Sequence, residues 1–175
     1  MKWIFVVIGG PGFGKTTLVK ALEAKGCHCE YDEKSRELIK KMARRGIADT
    51  SGAAFNRAIL MKRVEQYEKA PEGVSFFDRG IPDSIAYMAK APDDFWEAAR
   101  KHRYESRVFV ASPWREIFKA EPGRAETAFE EAVRLHNRIV SVYTELGYSL
   151  VEVPKSPAEE RAEFVLGAVR GAQRC

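Results

Sequence analysis

The sequence predicts an α/β fold, a three-layer sandwich with helices on both faces of a mostly parallel sheet. Three observations predict it. Short β-branched and aromatic runs alternate with longer segments of helical period, a glycine-rich loop joins the first run to the first helical segment, and no linker, repeat or low-complexity stretch divides the chain. The 175 residues fit one domain with a substantial core, so residues 1–175 are expected to form a single unit. With 45% hydrophobic residues the chain is too apolar to remain disordered.

Residues 2–8, Lys-Trp-Ile-Phe-Val-Val-Ile, are apolar on both alternating sets of positions, as in a strand buried on both faces. After the loop, Leu18, Val19 and Leu22 carry a helical period over residues 15–25, which Gly26 closes. Residues 27–31 read as a short second strand. Helix formers fill residues 32–45, up to Gly46, and a further helix covers residues 53–69, before Pro71. Residues 74–77 and 107–111 are strand-length apolar runs, with helices expected between them at 83–90 and 93–101. Residues 113–123 give mixed signals and read as a loop or broken helix. A long helix follows over residues 124–146, then a last strand at 148–153 and a last helix at 158–172.

The longest apolar stretch, residues 3–8, is far short of the roughly 18 residues a bilayer span needs, and no small-residue cleavage site follows it, so a cytoplasmic protein with no membrane partner is expected. Three cysteines, two of them at positions 27 and 29, suit a reducing compartment. The formal charge of +4 comes from 29 basic and 25 acidic residues interleaved along the chain. A nucleic-acid partner is therefore not expected, and a small anionic ligand suffices for the surplus.

Gly9-Gly10-Pro11-Gly12-Phe13-Gly14-Lys15-Thr16 satisfies G-x-x-x-x-G-K-[ST] between a strand and a helix, the context the motif requires. The glycines let successive backbone N–H groups turn toward phosphate oxygens, and the helix start adds its positive end. Residues Gly10, Pro11, Gly12, Phe13, Gly14, Lys15, Thr16 and Thr17 are the expected nucleoside triphosphate cradle. Lys15 is expected to reach the β/γ-phosphates and Thr16 to offer its hydroxyl to Mg²⁺. The dinucleotide fingerprint G-x-G-x-x-G fails, because Thr17 stands at its third glycine.

Asp78 ends the apolar run 74–77, where open α/β sheets place ligands. Its carboxylate has two open roles, holding the metal or accepting a proton from a substrate hydroxyl. Arg79 is suited to fixing an anionic or polar acceptor through forked hydrogen bonds, or to a structural ion pair. Glu33 and Arg36, three apart after strand two, share a helix face, and an acid there also suits the helix dipole. Residues 113–127 carry Arg115 and Arg124 in a basic, Pro/Gly-interrupted segment, read either as a closing lid or as a loop of solvated charges.

The glycine loop, Glu33-Lys-Ser-Arg36-Glu-Leu-Ile39, Phe77-Asp-Arg-Gly-Ile-Pro-Asp-Ser-Ile-Ala-Tyr87 and Gly147-Tyr-Ser-Leu-Val-Glu-Val-Pro154 together resemble the small P-loop ATPases of the AAA_28 type, themselves similar to ribosylnicotinamide kinases and deoxynucleoside kinases. The resemblance covers nearly the whole chain in family order. It implies a P-loop NTPase fold with a five-stranded parallel core in the order 2-3-1-4-5 and a lid after strand four. It also implies a general base at Glu33, an acid-arginine pair at Asp78-Arg79 near metal and acceptor, and a lid arginine at Arg124 with Arg115 second. The pair here is Asp-Arg-Gly, where deoxynucleoside kinases have Glu-Arg-Ser.

Cys27-His28-Cys29 has no second cluster to complete a four-ligand zinc site. His102 and His136 lie in polar helical stretches and are expected at the surface. Phe95, Trp96 and the Phe129/Val133 pair read as core. The expected activity is transfer of a phosphoryl group from Mg-ATP to a small hydroxyl-bearing acceptor, a nucleoside or ribosyl compound among the candidates, with Glu33 or Asp78 taking the acceptor proton. Two rivals stay open: a regulatory nucleotide-binding module with slow hydrolysis, and a polynucleotide end kinase, which a pI near 9.0 permits.

Overall fold

The computed structural model describes residues 1–32, 53–119 and 128–172, with positions 37, 41, 44 and 45 besides. Five parallel strands form one sheet: β1 (Lys2–Ile8), β2 (His28–Glu30), β3 (Gly73–Asp78), β4 (Arg107–Val110) and β5 (Ser149–Glu152), in the order β2-β3-β1-β4-β5. Around it lie α1 (Lys15–Ala24), α2 (Ala53–Lys69), α3 (Asp83–Ala86), α4 (Asp93–Lys101), α5 (Phe129–Glu145) and α6 (Ala158–Ala172).

The two apolar sets of β1 face opposite layers. Ile4, Val6 and Ile8 pack with Leu60, Ile85, Phe95 and Ile139, drawn from α2 to α5. Phe5 and Val7 pack with Leu18 and Leu22 of α1 and with Val165 and Val169 of α6. On this second face Phe5 stacks on Phe76 of β3 at 5.7 Å and meets Phe109 of β4 at 6.1 Å, so one aromatic row crosses three strands. Each of these rings contributes roughly 2–3 kcal/mol of burial.

Register decides where the strands end together. Val7 pairs with Asp78 and Ile8 with Val110, so β1, β3 and β4 release their chains at one edge. The glycine loop, Arg79 and residues 111–119 all start there.

Some expected elements change. The helix expected at 83–90 is a single turn, Asp83–Ala86, and the chain becomes extended at Pro92 (φ −59, ψ 155) before α4. The long helix begins at Phe129 rather than at 124: Ala128 is extended (φ −108, ψ 150), and its amide donates to Glu131 Oε2 at 3.2 Å. Residues 120–127, most of the expected lid, lie outside the described residues. Contrary to expectation, His102 is buried. Its Nδ1 lies 3.0 Å from the Ala98 carbonyl and its ring stands edge-on to Tyr67, because the C-terminal end of α4 packs back on α2. Phe95 is fully buried, Trp96 half-buried against the same cluster, and Phe129 and Val133 half-buried against Phe13, as expected of core positions. His28 pairs with Glu30, and burial pushes the Cys29 thiol up to about 12, so it is a poor thiolate ligand. Among the described residues no helix is long and apolar enough to cross a membrane.

Candidate active site

The glycine loop leaves β1 and closes on the first turn of α1. Gly14 caps α1 in the left-handed region (φ 80), a conformation that favours glycine, with the Arg161 guanidinium end close by. Arg161 of α6 donates to the Gly14 carbonyl at 3.0 Å. Lys15 Nζ donates to the Gly10 carbonyl at 2.6 Å. Phe13 turns away from the loop's concave side and is buried among Phe118, Phe129 and His136, with ring centroids 5.7 to 6.2 Å away.

His136 is buried, not at the surface. Its Nδ1 accepts the Gly10 amide at 3.3 Å. Burial, with the Lys15 charge second, pushes its pKa down to about 4, so the ring is neutral and its proton sits on Nε2.

Beside the loop, Thr16 Oγ1 donates to Asp78 Oδ2 at 2.7 Å, joining the first turn of α1 to the end of β3. Asp78 is 6% exposed, and its Oδ1 is buried with no hydrogen-bond partner among the described residues. Arg79 is the described non-glycine residue with positive φ (75), a strained conformation. That turn sends its side chain into a buried network. Arg79 Nε lies 3.4 Å from Asp32 Oδ2 and Nη1 3.3 Å from Asp83 Oδ1. Asp32 Oδ1 also receives Arg63 Nη2 at 3.1 Å, and Asp83 Oδ2 receives the Gly80 amide at 2.9 Å and the Tyr143 hydroxyl at 2.8 Å. Burial works against the Arg79 charge, but Tyr87, Asp83, Asp32 and Asp78 outweigh it and raise its pKa, so the guanidinium is a fixed cation.

Of these groups Lys15, Thr16, Asp32, Asp78 and Arg79 line a cavity of about 740 Å³. Of the residues expected in the phosphate cradle, Pro11, Gly12, Gly14, Lys15, Thr16 and Thr17 line it, while Gly10 and Phe13 lie behind it. Asp78 and Arg79 stand on its floor. Arg115 does not line it: the side chain is exposed, pairs with Glu130 at 2.7 Å and covers the Phe129 ring at 4.1 Å. Glu33, Arg36 and Arg124 lie outside the described residues.

The cavity also holds residues that sequence reasoning passed over. Asp32 follows β2 as Asp78 ends β3, so the strand-end rule that selected Asp78 points equally to it. Trp114, Ser156 and Arg161 form the opposite wall, the Arg161 guanidinium lying over the Trp114 ring at 5.6 Å. No local motif marks these three, which come from two chain segments, residue 114 and residues 156–161, both far from the glycine loop in sequence.

As a donor set, Thr16 Oγ1 and the carboxylate of Asp78 are hard oxygens, one atom of which is buried and unpartnered, and they fit Mg²⁺. Lys15, backbone amides and a helix start fit a phosphate chain.

The family model of AAA_28, described as an AAA domain, matches residues 4–161. No curated protein sequence matches the chain. Among solved structures, the NadR protein in complex with NR superposes with a TM-score of 0.67 at 20% identity, covering 97% of this chain and 51% of that one. The chain thus spans about half the length of that relative. Deoxyadenosine kinase from M. mycoides gives 0.64 at 13% identity, with 98% and 100% covered. Shikimate kinase from Aquifex aeolicus gives 0.62 at 15%, with 97% and 98% covered. At these identities the likeness is one of fold, that of the P-loop kinases.

Proposed function

Since the chain belongs to the AAA_28 family of AAA domains, we propose that it is a phosphotransferase, moving the γ-phosphoryl group of Mg-ATP to a hydroxyl of a small acceptor, with nucleosides and ribosyl compounds as the first candidates. The observation that carries the reading is the Thr16–Asp78 bond at 2.7 Å across the mouth of the glycine loop, with Asp78 Oδ1 buried and unpartnered beside it. A loop that only caps a helix has no use for a half-satisfied buried carboxylate, which costs about 1–3 kcal/mol to leave so. Two of the structural relatives are a deoxyadenosine kinase and a shikimate kinase, which supports a small hydroxyl acceptor.

Thr16 and Asp78 would hold Mg²⁺, which when bound neutralises charge on the phosphate oxygens. The chain's own residues do the rest. Loop amides and Lys15 bind and orient the triphosphate. Asp78, or Glu33, takes the proton of the attacking hydroxyl. Asp32 is poorly suited to that step, because its two oxygens are occupied by Arg63 and Arg79. Arg79, held by two carboxylates at the cavity, carries a buried Nη2 with no hydrogen-bond partner among the described residues, a donor for a polar or anionic group of the acceptor once that group displaces its cover. Catalysis is then mainly positioning and charge stabilisation.

The test is an ATP-consumption screen across nucleosides, ribosyl compounds and short oligonucleotides. Turnover stimulated by a small acceptor, and abolished by Lys15→Ala, is expected. Slow acceptor-independent hydrolysis would instead support a regulatory module, and stimulation by oligonucleotides alone an end kinase.

A further inference from the structure

The mechanism above gives no role to His136, a buried titratable side chain at the loop. His136 is 7% exposed and lies on α5, more than a hundred residues from the loop in sequence. We propose that His136 is a positioning residue for the phosphate loop: its Nδ1 lone pair, accepting the Gly10 amide, holds the first turn of the loop in the shape that receives a triphosphate. This inference rests on the phosphotransferase reading and adds to it a residue outside the motif.

Three observations converge on Gly10. A Cβ at that position would stand 2.5 Å from the carbonyl of Ala132, one helical turn before His136, so α5 lies directly against the loop there. The Gly10 amide is bonded to His136 on one side, and the Gly10 carbonyl to Lys15 Nζ on the other. The ring is itself oriented by Phe13, edge-on at 5.8 Å, a loop residue whose side chain points away from the cavity.

The consequence concerns what happens when Lys15 acts. To reach a phosphate its ammonium must turn from the Gly10 carbonyl, and the bond to His136 then remains as the side-chain anchor on that glycine. A loop free to rotate there would lose the convergence of its amides and weaken binding of the triphosphate before affecting the chemistry. Only a neutral ring can serve, since a protonated Nδ1 has no lone pair. Lys15 is the charged group whose field reaches the ring, Phe13 and the α5 backbone at Ala132 are uncharged, and burial together with Lys15 keeps the imidazole neutral. His136 also shares a stripe of α5 with Tyr143, seven residues on, which binds Asp83 in the Arg79 network, so one helix face steadies both loops of the site.

Two variants separate anchoring from packing. His136→Phe keeps a buried ring but removes the acceptor; His136→Asn puts an amide oxygen near the position of Nδ1. Calorimetric titration with Mg-ATP is expected to show roughly tenfold weaker binding for His136→Phe, the size of one lost buried hydrogen bond, and binding within about threefold of wild type for His136→Asn. In turnover, KM should rise more than kcat falls. Wild-type affinity in His136→Phe overturns the inference, as does an equal loss in both variants. Should either variant fail to fold, ¹⁵N-histidine spectra of the wild type at pH 7 decide: an unprotonated, hydrogen-bonded Nδ1 supports it, and a protonated Nδ1 refutes it. A wild-type chain that binds no triphosphate would sink the phosphotransferase reading itself, whereas equal binding by wild type and His136→Phe sinks only this one.

Discussion

Replacing Asp78 by Asn changes one oxygen to an amide and removes one charge, at a position where the surroundings allow the outcome to be estimated. Thr16 can still donate to the remaining oxygen, so the loss there is the difference between a charge-assisted and a neutral bond, about 1 kcal/mol. Against this, the buried Oδ1, which has no partner among the described residues, gives way to an amide NH2 in the same place, so one unsatisfied polar group is exchanged for another and little is gained or lost there. Arg79 loses one of the charges that hold it, but keeps Asp32 and Asp83. The fold should therefore change by no more than about 1 kcal/mol, a shift of roughly 2–4 °C in Tm for a chain of this size. Turnover should respond quite differently. A carboxylate that takes a proton in the transition state is worth about 10²–10⁴ in rate, or roughly 3–5 kcal/mol. The assay pairs thermal unfolding with acceptor-stimulated ATP turnover over a range of Mg²⁺ concentrations. A lower apparent Mg²⁺ affinity would assign Asp78 to the metal; an unchanged one with lost kcat would assign it to the proton. Unchanged turnover, or a turnover loss fully matched by unfolding, would refute the reasoning.

Two further outcomes follow from the buried charges. Arg79→Met should destabilise the fold by about 3–5 kcal/mol, because it leaves Asp83 without its ion-pair partner and Asp32 with Arg63 alone, and adding Asp83→Asn should recover part of that loss in urea titrations. His136 has a pKa of about 4 when folded against 6.5 for the ordinary side chain, so the unfolded chain takes up its proton first as pH falls. Its contribution is complete above pH 6.5 and is lost toward pH 4; between pH 7 and 4.5 wild type should lose about 1–2 kcal/mol more stability than His136→Asn, and equal losses would show that the ring is not held neutral.

The strand and helix order was legible because local rules decide it. A strand apolar on both alternating sets, as in residues 2–8, has nowhere to sit but inside a covered sheet, and the two sets do face separate cores. The glycine loop and Asp78 were legible because each is marked within a few residues, by a spacing or by a strand end. Element limits were less so: α3 stops at Ala86, and the start of α5 depends on the extended Ala128.

Chain order and the phosphate loop were thus determined by the sequence itself, since backbone preference and apolar period act between near neighbours. Tertiary structure alone decided the rest of the site. Arg115 went to Glu130 rather than to the cavity, Asp32 became a hinge between Arg63 and Arg79, Arg161 crossed from the last helix to the Gly14 carbonyl, and His136 crossed from α5 to Gly10. The physical reason is the same in each case. A buried polar side chain takes whichever partner packing brings within about 3 Å, and that partner is set by how helices cross the sheet.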